Sequence, residues 1–210
     1  MSEELFDHIV YSKNVIEFVT VANEFCAFVE NQANFNRVEF IDRSIKILPL
    51  LYLKAVMLPP VNDEDAETPE KYVTEVDYNF LLNKISEKLA QYDSYQEVFD
   101  EGMQFSETPV VASIAENICD IYQDLKDFLL NFRIGTVELM TDALWECQNN
   151  FKTYWGQRLV NGLRALHALF YGDIDLEDNE SPNFFKDEES ESNRENWVSR
   201  YFNNNSEEDF

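Results

Sequence analysis

The stretch TPVVASIAENICDIYQDLKDFLLNFRIG, residues 108–135, decides the fold class. Its apolar residues Val111, Ile114, Ile118, Ile121, Leu125, Phe128, Leu129 and Phe132 recur at three- and four-residue steps, the spacing that lines one face of an α-helix. Thr108-Pro109 reads as the start of that helix, because threonine caps the first amides and proline is preorganised at the first helical position. Gly135 stands where a glycine, at ease in the left-handed conformation, ends a helix.

Downstream, Thr136 opens a second stripe through Val137, Met140, Leu144, Cys147, Phe151, Trp155, Leu159, Gly162, Leu163, Leu166 and Phe170. A straight helix of that length would outrun its neighbours, so the pattern predicts a bend near Asn149-Asn150 or Gly156. Upstream, Val15, Val19, Ala22, Cys26 and Val29 mark one helix. Asn36 and Glu39 form a capping-box pattern that opens another, with Val38, Ile41, Ile45, Leu48, Tyr52 and Ala55 as its stripe. Pro49 predicts a kink inside it, and Pro59-Pro60 predicts its end. Residues 61–75 read as a mobile acidic loop, followed by a helix from about Val76 bearing Leu81, Leu82, Ile85 and Leu89. Residues 94–106 read as a turn with either a short helix or a short hairpin.

The expectation is an all-α, single-domain helical bundle of five or six major helices over residues 1–172, followed by an acidic tail over 173–210. That tail has thirteen acidic residues against three basic ones, so most of it reads as disordered. Ser192 and Glu195, ahead of Trp197, Val198, Tyr201 and Phe202, predict a short amphipathic helix near 193–202.

Composition narrows the function classes. A formal charge of −25 opposes binding to nucleic acid or anionic lipid, which demands a surplus of Lys and Arg, and favours a protein partner with a basic surface. A homo-oligomer is compatible with it too. No basic, apolar leader opens the sequence and no apolar run is long enough to span a bilayer, so a cytoplasmic protein is expected. Cys26, Cys119 and Cys147 each fall on an apolar stripe and read as buried hydrophobes. Glycine-rich phosphate loops, Cys-x-x-Cys pairs and His-Glu-x-x-His are absent. A carboxylate-bridged di-metal site needs paired Glu-x-x-His, whereas His8 follows Leu5 and His167 follows Arg164 at that spacing, so no metal or cofactor is expected.

One constellation merits attention. Trp155, Arg158, Arg164 and His167 thread polar atoms through a stripe suited to burial, and Asp120 and Asp124 stand four apart on the preceding helix, where a nearby cation would relieve their repulsion. These six residues form a candidate binding site for a small polar or anionic ligand. The competing reading is an internal network in which Asp120 or Asp124 pairs with Arg164 or Arg158, and His167 hydrogen-bonds within it.

At these residues the sequence resembles a known family. Glu116 to Lys126 (ENICDIYQDLK), Tyr154-Trp155-Gly156 and Leu163-Arg164-Ala165-Leu166-His167 are similar to an all-helical bacterial family catalogued as a domain of unknown function, number 5063. The resemblance reaches to about Leu169. It implies an all-helical intracellular bacterial protein and brings no activity with it; some relatives have a histidine where Tyr154 stands here, which weakens a metal or catalytic reading. The leading expectation is therefore a non-enzymatic binding or adaptor protein. The alternative is a small-molecule sensor or enzyme built around Arg164 and His167.

Overall fold

Among the described residues six α-helices form: α1 (Lys13–Glu30), α2 (Arg37–Val56), α3 (Glu75–Leu89), α4 (Ile114–Ile134), α5 (Val137–Asn150) and α6 (Gly156–Tyr171). They come from a computed structural model that describes residues 8–61, 67–97 and 110–177. The expected amphipathic helix near 193–202 and nearly all of the acidic tail lie outside the described residues. The compact unit runs to Glu177 and buries Leu176.

Helix α4 is the hub, packing against α1, α3, α5 and α6, with α2 against α1 and α6. Its stripe meets the others in one core: Ile114, Ile118, Ile121, Leu125 and Phe128 join Phe18, Phe25, Phe40, Leu48, Leu81, Ile85, Leu144 and Leu159, all buried. The three cysteines are free and buried in this core, and burial is the main cause that pushes each thiol up.

Helix ends follow local chemistry. Asn36 and Glu39 form the expected capping box at 2.9 and 3.0 Å. Thr74 and Asp77 form another at α3, and Gly135 ends α4 with φ 85°. Pro49 lies within α2, which continues to Val56.

The start of α4 corrects the sequence reading. Val111–Ser113 is not helical but a strand, β2, paired antiparallel with β1 (Ser94–Gln96). Val111 is 67% exposed there rather than on a core face. The hairpin expected within 94–106 thus takes its second strand from beyond that window, and Thr108-Pro109 lies outside the described residues. The reason is Asp93. Its backbone carbonyl accepts the Ile114 amide, Oδ1 accepts the Ala115 amide, and Oδ2 accepts the Ser113 and Ser86 hydroxyls. A carboxylate at a helix N-terminus satisfies orphan amides and favours the dipole, which outweighs the local signal of threonine and proline upstream.

The described residues just before α3, 67–74, are also more tightly held than their composition implies. Pro69 and Val73 are buried, and α4 side chains grip residues 70–73.

Candidate functional site

Five polar residues of α4 fall at alternating three- and four-residue steps: Asn117, Asp120, Asp124, Asp127 and Asn131. That spacing sets them in one seam along the helix, beside its apolar stripe. Each clamps a different piece of the fold. Asn117 donates to the Tyr95 hydroxyl of β1 at 2.6 Å. Asp120 accepts the Tyr78 hydroxyl of α3 at 2.8 Å and the Tyr154 hydroxyl at 2.7 Å, with Arg158 Nε at 3.4 Å. Asp124 accepts Asn150 Nδ2 of α5 at 2.7 Å. Asp127 accepts the amides of Tyr72 and Val73 at 2.8 and 2.9 Å, and Asn131 donates to the Glu70 carbonyl at 2.8 Å.

Tyr154 reaches Asp120 because the helical backbone widens into a π turn at Phe151–Trp155 between α5 and α6. The extra residue in that turn shifts the angular register of side chains on α6 relative to α5, at the place where the sequence predicts a bend. Gly156 makes the turn feasible: a Cβ there would lie 2.3 Å from the Phe151 carbonyl oxygen. Arg158, one turn on, lies over the Tyr154 ring at 5.3 Å.

The electrostatics follow from burial. Burial, then the hydrogen bond and charge of Asp120, push the Tyr154 hydroxyl up to about 12 and move Tyr78 the same way. Burial pushes the Asp124 carboxyl up to about 6, against the Asn150 hydrogen bond. Asp127 rises for the same reason, opposed by the amides of Val73 and Tyr72.

Of the six residues singled out in the sequence, the structure brings together Asp120 and Arg158. Asp124 lies in the same seam but is held by Asn150. Trp155 is fully buried, donates Nε1 to the Cys147 carbonyl at 3.2 Å and packs on Phe151. Arg164 and His167 are exposed, His167 lying against Tyr171, and neither bonds Asp120 or Asp124 among the described residues. His167 is nine residues from Arg158, about two and a half helical turns, so the two point to opposite sides of α6. The expected pairing of Asp120 or Asp124 with Arg164 or Arg158 therefore forms as Asp120 with Arg158, while among the described residues Arg164 takes no part in it and the expected place of His167 within the network is not filled.

Tyr78, Tyr95, Asn117, Asp127, Asn131 and Asn150 were not anticipated. Their signal was present in part: asparagine and aspartate are poor helix formers, and a run of them at seam spacing inside a strongly apolar helix needs partners. Chemically, a carboxylate bearing two phenols and a guanidinium is a saturated anchor. The reactive surface it leaves is the Arg158 guanidinium, whose side chain is 40% exposed.

The described residues form no helix long and apolar enough to cross a membrane and no group of three or more His, Cys, Asp or Glu suited to a metal ion. Among curated proteins none matches the chain. The crystal structure of protein BF1032 from Bacteroides fragilis is similar to it at 46% sequence identity and a TM-score of 0.70, with 80% of this chain and 98% of that chain covered. Residues 9–172 match the family model described as a domain of unknown function, DUF5063. On a match that spans the six helices, the chain belongs to the DUF5063 family.

Proposed function

We propose that the protein is a helical binding or adaptor module whose acidic surface contacts a partner with a basic surface. The observation that carries this reading is where the carboxylates lie. Glu70 is exposed beside the C-terminal end of α4, where Asn131 holds its carbonyl, and Glu67, three residues before it in sequence, is exposed as well. Glu138, exposed in the first turn of α5, follows at the same end just past Gly135. The polar groups of the seam, by contrast, are engaged with side chains and backbone of the elements packed around α4. A surplus of exposed like charge steers encounter with an opposite surface and fixes its orientation.

The test is co-purification from the native cell of the wild-type chain and of a Glu67→Gln, Glu70→Gln, Glu138→Gln variant. A basic protein retained by the wild type, lost at about 0.5 M salt and weakened in the variant is the expected result. A partner held equally by both chains and indifferent to salt, or no basic partner at all, refutes the reading.

A second reading, recognition of a small anion, is favoured by the partly exposed Arg158 guanidinium between Tyr154 and the seam. Its measure is calorimetric titration with small carboxylates and phosphates, with heat abolished by Arg158→Gln.

A further inference from the structure

We propose that the outer face of α2 is the docking surface for a second copy of this chain. From Ile45 to its capping residue Met57, α2 is apolar almost all round. Leu48, Leu51 and Ala55 point into the core, whereas Leu50, Leu53, Val56 and Met57 form a second stripe that faces outward. Leu53 is 52% and Val56 56% exposed. Ile16 is exposed at the same end of the α1–α2 hairpin, where Asn14 donates to the Met57 carbonyl and Lys54 pairs with Glu17. A helix that is apolar on both sides is ordinarily covered on both, and a contiguous apolar surface rimmed by polar groups marks an interaction site.

Charge selects the occupant. Between Lys13 and Met57, five cations (Lys13, Arg37, Arg43, Lys46, Lys54) balance five carboxylates (Glu17, Glu24, Glu30, Glu39, Asp42). The whole −25 is therefore carried by the rest of the chain, where 11 basic residues face 36 acidic ones. The carboxylates beside the stripe are neutralised within the chain: Glu17 by Lys54 at 2.7 Å and Lys13 at 3.7 Å, Asp42 by Lys46 at 2.7 Å. Two copies repel through most of their surface and meet without repulsion across this segment. A basic partner is drawn instead to the acids elsewhere. A stripe spanning two helical turns meets its own image across a two-fold axis, which satisfies the requirement that a closed dimer use one self-complementary patch.

Sedimentation velocity of the full chain from about 1 to about 100 µM tests this, with dimer expected to grow with concentration. Added salt strengthens association, because it screens the mutual repulsion of two anionic chains and leaves the apolar contact intact. Leu53→Glu weakens the dimer roughly 30-fold or more with circular dichroism unchanged. Leu53→Cys yields a disulfide-linked dimer on mild oxidation, and Val76→Cys, exposed on α3, does not; this pair decides the matter if the glutamate variant fails to fold. A wild-type monomer at every concentration, or a dimer indifferent to Leu53→Glu in a folded variant, overturns the proposal. Co-purification of a basic protein bears on neither outcome.

Discussion

Asp120 accepts the Tyr154 hydroxyl at 2.7 Å from across the π turn, so the one irregular turn between α5 and α6 is tied to the hub helix. With Tyr78 and Arg158 on the same carboxylate, α3, α4 and α6 converge on a single side chain that is 13% exposed.

Removing that carboxylate strands a guanidinium and two phenols. Asp120→Ala is expected to destabilise by about 2–4 kcal/mol, Tyr154→Phe by about 1 or less, since the tyrosine is partly exposed and its ring packing remains. Arg164→Ala, on the exposed side of α6, is expected to stay within about 0.5 kcal/mol of wild type. Urea denaturation of the three variants ranks them. An Arg164 effect equal to that of Asp120 would contradict the geometry.

Gly156→Ala places a methyl group where the Phe151 carbonyl already lies, at 2.3 Å, so the π turn must open or shift. A loss of roughly 2 kcal/mol or more is expected, comparable to other strained or overpacked sites. Thermal unfolding reads it. Unchanged stability would mean that the turn closes as an ordinary α-helix.

Ala90 caps α3 with φ 52° and ψ −124°, a conformation that suits glycine and strains any residue bearing a Cβ. Ala90→Gly relieves strain of order 1–3 kcal/mol and adds chain entropy to the unfolded state, for a net gain of about 1 kcal/mol. A lower melting temperature in that variant would show that the strain is not real.

Asp124 makes the sign of one pH effect explicit. Its folded-state pKa, about 6, lies above the unfolded value, so the folded protein binds the proton more tightly. Its ionisation therefore costs stability above pH 6, and the cost disappears as pH falls through 6 toward 4. Asp124→Asn keeps the Asn150 hydrogen bond through its carbonyl oxygen, and is expected to be more stable than wild type by roughly 1–3 kcal/mol at pH 7 and equal to it near pH 4. Parallel pH-stability curves for the two chains would refute the assignment.

The sequence by itself determined the helices with long three-four stripes, because an apolar face of that length has one way to be buried. It determined the Asn36 capping box and the Gly135 terminus, whose chemistry is contained in a few neighbouring residues. It also supplied the family, through Glu116 to Lys126 and the two motifs of the last helix. Tertiary structure alone decided the rest. Asp93 moved the start of α4 to Ile114 by supplying acceptors from a residue twenty-one positions away in sequence. Asp127 and Asn131 held residues 70–73 of a segment whose composition reads as mobile. Arg158 rather than Arg164 took the acidic partner, because a π turn reset the angular register between α5 and α6, and a stripe read along one unbroken helix cannot show which of its polar residues end up on the buried side. Local pattern sets what a segment becomes, while partners for a buried polar atom come from wherever the packed chain brings them within about 3 Å.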